Sequence, residues 1–578
     1  MSIMKSYIAI LIFFISLIFV HTTVFSQSIS FVTEGRSAFK IYIADETYRS
    51  NAVIFNSYLK KVSGVELDVI NGLRGSITNG VIIGKQNQLG QITGVNAPLL
   101  KNDAVLLKEV SNNIIITSNS SKGVMYAIYT FIEQILGCRY FYENGKYIPS
   151  KNNISIAKSY TFLETPVFSH RQYWYFGSFV PSPEYLTWHK LDNYKSDKSW
   201  GMFMVHNLDN FVPDDLLKIK PQFFALNNGV RVKDQLDFSN AELPAFLTQK
   251  VQKYFKENPT ATTIALNPKD NENYCQCDIC QKTYAAEGSK MGTLLNLVNN
   301  VAINFPDKFF VLQAFKSNRK PPKNILPRKN VKIVLSDIEV TRLHDIQTSS
   351  NKRANPFIQD LKAWRTKTNN LLVWDYLTWY DNSFIPFPNF DNMASNAKFF
   401  AKNGIDGIFW EGDGGLPSYQ YRLRAYIAAK LLWNPNIDIQ VLIKQFCDFY
   451  YEEASDNMQS YLRKMNQAKT SANIEIETGN DNFYTDASKS YLSQSSISSY
   501  RKILAQSKAL VSRKPEIINR IELDEIGLLI FELENDRRNK KKDIKKVSEL
   551  EKLFTKHKIQ KYNYYLRDAS DYLKLLKN

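Results

Sequence analysis

From Glu164 to about residue 435 the chain repeats one rhythm: a short apolar run, a polar stretch, then a helical span. The runs are residues 168–175, 203–208, 262–266, 309–315, 331–336, 371–377 and 405–411, and helical spans such as 243–255, 294–304 and 357–366 separate several of them. Strands that alternate with helices on this scale pair side by side as a parallel sheet, and about eight such units close a barrel. The expected fold class is α/β: a (β/α)8-like (TIM) barrel. Seven strands are readable, which leaves an eighth to find.

The stretch 262–280, TTIALNPKDNENYCQCDIC, is the most informative single unit. It begins as a buried strand, and Asn267-Pro268 stops it because proline cannot donate to the next rung. A polar loop follows, with Asp270, Glu272 and three of the chain's five cysteines. The preceding segment 221–238 reads as an insertion shaped as a small hairpin.

The flanks differ in pattern. Residues 28–163 read as a compact α/β domain. KIYIA at 40–44 is a strand; Tyr48, Ala52, Phe55, Leu59 and Val62 then recur at helical spacing before Gly64. Ser120 or Ser121 can cap a second helix, closed by Gly137. Residues 436–578 turn helical, with Ile439, Leu442, Ile443, Phe446 and Phe449 on one face. Residues 1–27 read as a signal peptide, with Lys5 ahead of the apolar run 8–20 and no cysteine near the cleavage point to carry a lipid. That run is short for a membrane span, and no later stretch could span a bilayer. The expected destination is the periplasm or the outside of the cell.

A formal charge of +17 raises the question of nucleic acid. The basic residues form neither an arm nor an aromatic-interleaved stripe. Their densest run, Arg537 to Lys542, lies in a Glu-containing helical tail, where a solvated helix face is the simpler reading. No nucleic-acid partner is expected. All eight tryptophans fall between Trp174 and Trp433, and flat rings with a polar edge suit sugar faces.

Barrel enzymes place their chemistry at the C-terminal strand ends. Those ends offer Arg171 and Tyr173; His206, Asn207 and Asp209; Asn267, Asp270 and Glu272; Asp337 and Glu339; Asp375; and Glu411 and Asp413. Asp337 and Glu339 stand two apart, so an extended backbone would put both on one face. Trp374, Tyr376, Trp379 and Trp410 accompany the acids. Several carboxylates among flat rings, with no nucleotide-binding glycine loop, suit a sugar polymer. Glu411 is the leading candidate for the proton donor, with Trp410 as the ring beside it, and Glu339 with Asp337 for the second carboxylate role. Asp270, Asp375, His206, Trp374, Tyr376, Trp379, Trp410 and Arg171 are expected to bind substrate. No G-x-S-x-G elbow or H-E-x-x-H pair occurs.

Cys275, Cys277 and Cys280 form C-x-C-x2-C. Three thiolates this close can hold one structural zinc with a fourth ligand that spacing does not name. They can equally form a disulfide with one thiol left over, or stay reduced and buried. No cofactor is expected for catalysis.

From about Trp174 to Tyr451 the chain resembles the domain-of-unknown-function family 4838 of bacterial exported proteins. The resemblance rests on QFFALNNG, NPKDNENYCQCDIC, KPPKNILPRKNVKIVLSDIE, LLVWDYLTWYDNSFIPFPN, NGIDGIFWEGD and LRAYIAAKLLWNP. The segment GVMYAIYTFIEQILGCRYF is similar to the end of the small α/β domain that precedes the barrel in family 20 β-hexosaminidases and family 67 α-glucuronidases. These resemblances imply a carbohydrate-active barrel at 164–435 with a carbohydrate substrate. The adjacent Asp-Glu pair of family 20 is missing from the strand ends; the one Asp-Asp pair, Asp214-Asp215, reads as a helix start.

The expected activity is therefore that of an exported glycoside hydrolase acting by carboxylate acid/base chemistry. A glycan-binding protein on a degenerate barrel and a polysaccharide lyase, with His206 or Tyr376 as base and Arg171 or Arg342 facing a uronate, are the alternatives. Export predicts a mature N-terminus close to Gln27. Mass spectrometry of the secreted protein should find that end, and Met1 retained on it would contradict the prediction.

Overall fold

The computed structural model describes residues 27–89, 99–174, 182–192, 206–340, 342–347, 354–412, 418–471, 483–563 and 565–578. Residues 1–26 of the expected targeting segment, 203–205 of the expected strand 203–208, and Asp413 lie outside them; the described end of that strand is a short 3-10 turn, Leu208–Asn210. The chain divides into two compact units, Met1–Cys138 with Ile148–Thr165, and Arg139–Tyr147 with Pro166–Asn578. The helical stretch after Ile439 does not separate from the preceding α/β region, because one continuous hydrophobic core runs through both.

The first unit is a six-stranded mixed sheet. Lys40–Ile43, Val69–Asn71, Gly80–Lys85 and Asn113–Ser118 run parallel, and Val105–Val110 and Thr161–Glu164 extend it antiparallel. Helix Arg49–Ser63 buries Ala52, Phe55, Leu59 and Val62 and ends at Gly64, whose φ of 76° suits a residue without Cβ. Helix Ser121–Phe131 starts where the Ser120 hydroxyl accepts from the Gly123 amide at 2.9 Å.

In the second unit six strands form one parallel sheet: β1 (His170–Trp174), β2 (Thr263–Ala265), β3 (Phe309–Ala314), β4 (Val331–Ser336), β5 (Leu371–Tyr376) and β6 (Gly407–Glu411). Their order is β1-β6-β5-β4-β3-β2. β6 pairs directly with β1, His170 opposite Gly407 through Trp174 opposite Glu411. This register leaves no room for a further strand between those two. β1 and β2 are the edges of the described sheet. Next to β2, the Asn207 side chain donates to the Ala265 carbonyl at 2.7 Å and accepts from the Asn267 amide at 2.9 Å. The Asn267 side chain in turn accepts from the Gln313 amide at 2.8 Å. A relay of amide side chains thus ties Asn207 to the ends of β2 and β3.

The sheet is curled. Ala265, Val311, Val334, Leu372, Trp374, Tyr376 and Phe409, drawn from β2 to β6, meet in one inner cluster. Ile264, Leu312, Leu335, Val373 and Trp410, the intervening residues, pack instead into the large core against the surrounding helices. Both faces are apolar, and each fully buried Val or Leu contributes about 1.5–3 kcal/mol. The helices that cover the outer face include Leu243–Glu257, Met291–Ala302, Ala354–Arg365, Phe390–Lys402 and Tyr421–Trp433. The expected insertion is an antiparallel hairpin of Phe224–Asn227 and Val230–Leu236. Asn228 and Gly229 turn it, both at positive φ, as a two-residue hairpin loop requires.

Candidate active site

Because successive side chains of a strand leave on opposite faces, the inner cluster fixes which strand-end residues reach the lumen. Glu411 shares the inward face of β6 with Phe409, and Trp374 and Tyr376 share that of β5. Glu411 is buried, 8% exposed. Its Oε2 accepts from the Trp374 indole N–H at 2.7 Å. An indole N–H only donates, so this oxygen accepts the bond. The ring beside Glu411 is therefore Trp374, not Trp410. The Trp374 and Tyr376 rings lie 6.2 Å apart and nearly parallel, at 27°. The Tyr376 hydroxyl bonds the Ser336 hydroxyl at 3.2 Å, and the Tyr380 hydroxyl donates to the Glu411 carbonyl at 3.1 Å. The Arg342 guanidinium lies over the Tyr376 ring at 4.8 Å and near the Tyr380 ring at 5.6 Å. Burial above all, with the charge of Glu411 added, pushes the Tyr376 hydroxyl well above the ordinary tyrosine range, so it stays protonated.

On the β2–β3 side the inward positions are polar as well. Asn267 and Gln313 are buried, and Gln313 Oε1 has no hydrogen-bond partner among the described residues. The His206 ring packs against Phe315 at 5.5 Å and donates from Nδ1 to the Pro268 carbonyl at 2.6 Å. Asp270 stands on the loop after β2, half-exposed, with Lys316 2.9 Å away.

Asp375, Asp337 and Trp410 lie behind the sheet. Asp375 has the parity of Val373 and Leu377, which pack into the outer core. Its Oδ2 accepts from the Trp410 indole at 2.9 Å and its Oδ1 from the Tyr376 amide at 2.7 Å. Asp337 and Asp375 share a small cavity with Asn389, Asn392 and Asn396 of the helix segment that follows β5. Burial is the chief cause that raises both acids. It lifts Asp375 to about 6, against the donors that favour its charge, and Asp337 well above the usual range, with the neighbouring Asp375 adding to the effect. Asp337 and Asp375 are in effect a proton-sharing pair.

The expected Asp337–Glu339 face does not form. The Val340 amide turns back to the Asp337 carbonyl at 2.7 Å, which breaks the extended backbone that alternation requires. Glu339 swings out, 39% exposed at its side chain, and pairs with Arg319 at 2.6 Å; Arg319 also holds Asp360 at 2.8 Å. Two expected substrate contacts are structural too. Arg171 is fully buried, donating to the Lys190 and Phe168 carbonyls at 2.9 and 2.6 Å, with its guanidinium over Trp433. Trp379 is buried and stacks on Phe483 at 4.2 Å and 18°.

Residues 140–463 match the model of DUF4838, a domain of unknown function. The chain belongs to this family. No curated protein matches the sequence. Among solved structures, the DUF4838 chain is similar to a family GH115 4-O-methyl-α-glucuronidase with specificity for decorated arabinogalactans. The TM-score is 0.58 at 11% identity, over 95% of this chain and 80% of that one. A GH84 protein gives a TM-score of 0.47 at 12% identity, over 95% and 98% of the two chains. A GH20 exo-β-N-acetylglucosaminidase from Vibrio harveyi, in complex with N-acetylglucosamine, gives 0.40 at 12% identity, over 76% of each chain. The first likeness shows a shared fold: mixed α/β, with a curled parallel sheet wrapped by helices.

Within this DUF4838 chain the three clustered cysteines gain a neighbour that spacing did not reveal. Asp237, at the end of the hairpin, stands with Cys275, Cys277 and Cys280, and their ligand atoms all lie within 4.8 Å of one another. Gln313 and Ser336 were missed because they sit inside runs that read as buried strand. Tyr380 and Asp237 had no local signal at all.

The proton-sharing pair predicts a pH effect on stability. Below about pH 4 both the folded and the unfolded aspartates are protonated and the pair costs nothing. As pH rises, the unfolded chain loses these protons first, so it binds fewer than the native state and stability falls. The fall begins near pH 4 and continues through the folded value of about 6 and above. Asp337→Asn should therefore match the wild type in Tm near pH 4 and exceed it increasingly towards pH 8. A variant that falls further behind the wild type as pH rises would contradict the pairing.

Proposed function

We propose that this chain is an exported glycoside hydrolase that cleaves a complex glycan or polysaccharide at the C-terminal mouth of its barrel. One observation carries the reading: among the described strand-end carboxylates, Glu411 is the one turned into the lumen, fixed through Oε2 by Trp374 beside the Tyr376 ring. Hydrolysis of a glycosidic bond uses two carboxyl groups, one to protonate the leaving oxygen and one as nucleophile or base. Glu411 is assigned to the second role, as the inward carboxylate that accepts from the Trp374 indole. Asp270, on the loop at the mouth, is the described candidate for the first. Trp374, Tyr376 and Tyr380 offer ring faces to a sugar, and His206, Asn267 and Gln313 offer polar groups to its hydroxyls. The signal-like 1–27 segment supports export.

For a lyase, one of the two candidate bases is disfavoured: Tyr376 is held strongly in its protonated form, which leaves His206.

The test is turnover on a panel of host and plant glycans with product analysis. Glu411→Gln keeps the shape and should slow hydrolysis by a factor of about 10² or more. Asp337→Asn, behind the sheet and without contact to substrate, should slow turnover far less than Glu411→Gln. Full activity in Glu411→Gln would remove it from catalysis. Glycan binding with no turnover in the wild type would favour the binding-protein reading, and unsaturated sugar products would favour the lyase.

A further inference from the structure

The hairpin Phe224–Leu236 and the C-x-C-x2-C loop meet at a point that catalysis does not use. Cys275 and Cys280 are fully buried there, and Cys277 is partly so. Cys277 precedes helix Asp278–Glu287. Around them stand Ala225, Leu226, Val232 and Tyr284. Into this largely apolar pocket the chain sends a carboxylate, Asp237. Its Oδ2 takes an ion pair from Arg231 at 2.8 Å. Its Oδ1 faces sulfur, 3.4 Å from Cys280 Sγ and 3.7 Å from Cys277 Sγ. A carboxylate among three thiols in an apolar setting is costly if nothing positive sits between them.

The distances suit a particular occupant. A tetrahedral zinc with Zn–S of about 2.3 Å and Zn–O of about 2.0 Å places sulfur and oxygen ligands about 3.5 Å apart. The two sulfur–oxygen separations just given bracket that edge. A disulfide would consume two of the three sulfurs at about 2.05 Å and leave the third, and Asp237, without a purpose. Soft thiolates select zinc, copper(I) or iron, whereas a carboxylate in the set argues against copper(I).

The surroundings are those of an outer shell that orients ligands. Cys275 Sγ accepts from the amides of Leu226 at 3.3 Å and Cys277 at 3.5 Å, contacts that favour thiolate. The Ser239 hydroxyl donates to Asp237 Oδ1 at 2.7 Å and lies 3.3 Å from Cys280 Sγ. Arg231 holds the other carboxylate oxygen and so aims the first at the sulfurs.

We propose that Asp237, Cys275, Cys277 and Cys280 bind one zinc ion as a closed, structural site that fastens the hairpin to the loop at the barrel mouth. With four protein ligands there is no open position for a water or substrate, so the ion does not take part in turnover. Its mechanical effect is on the loop 267–275. That loop meets the hairpin again where the Lys269 amide donates to Gln235 at 3.1 Å and the Asn271 side chain to the Asp234 carbonyl at 2.7 Å. The same loop carries Asp270, and its Pro268 carbonyl receives His206.

The test uses the full-length wild type, purified without chelator. Elemental analysis should give about one zinc per chain. Replacement by cobalt(II) should give the intense visible bands of a tetrahedral site and a thiolate charge-transfer band. Chelation should lower Tm, and added zinc should restore it. Cys277→Ser and Asp237→Ala should lose most of the bound zinc, while Cys277→His, which keeps a ligand, should retain zinc and shift the cobalt spectrum. Denaturing alkylation of the wild type supplies a readout that does not depend on variants folding. Three thiols at 275, 277 and 280 that become reactive only after chelation support the site. Zinc-free wild type, a mapped disulfide among these residues, or full zinc in both Cys277→Ser and Asp237→Ala would overturn it.

Discussion

Everything at the C-terminal edge of the curled sheet depends on a strict alternation: along a parallel strand, one residue faces the inside of the curl and the next faces the helices. Glu411 and Trp410 are chain neighbours, yet one is held by an indole inside the curl while the other donates its own indole to an acid behind it. The same step separates Tyr376 from Asp375 and Ser336 from Asp337. A shift of one residue would turn Glu411 out of the curl in β6, or turn Asp375 or Asp337 into it in β5 or β4, so register and function are a single constraint here.

This alternation also explains what could be read in advance. Strands at 262–266, 309–315, 331–336, 371–377 and 405–411 were legible because each is a short run of β-branched and aromatic residues that ends in polar groups. Their faces were not legible. A parallel sheet covered by helices outside and packed by its own side chains inside is apolar on both faces, so Val373 and Leu372 look alike in sequence although they point in opposite directions. Reading strand ends without parity therefore gathered Asp337, Asp375 and Trp410 into a cleft they do not face. Arg171 and Trp379 failed for another reason. Their burial is tertiary: Trp379 is covered by Phe483, more than a hundred residues later. The Asp337–Glu339 pair failed on local geometry, because a turn intervenes where an extended backbone was assumed.

The cysteine cluster shows the complementary limit. Its three thiols lie within six residues and announce themselves, but the fourth member, Asp237, comes from the hairpin, and only the fold brings it near. The hairpin itself was legible, since Asn228-Gly229 supplies the two positive-φ positions that a tight turn needs. Local chemistry thus fixed both partners separately, and tertiary packing joined them.

The two faces finally act together on one carboxylate. Inside the curl, Ser336 bonds Tyr376 and Trp374 bonds Glu411, so the ends of β4, β5 and β6 are linked across the lumen surface. Behind the sheet, Asp337 and Asp375 share protons and Trp410 bonds Asp375, so the same three strand ends are linked again. A pair that shares a proton can make such links deep in the core, whereas two ionised acids there would repel. The buried acids thus hold the strand ends that stand beside Glu411. Reactions that depend on sub-ångström placement require this kind of support. The acids that look catalytic in sequence serve the site by standing behind it.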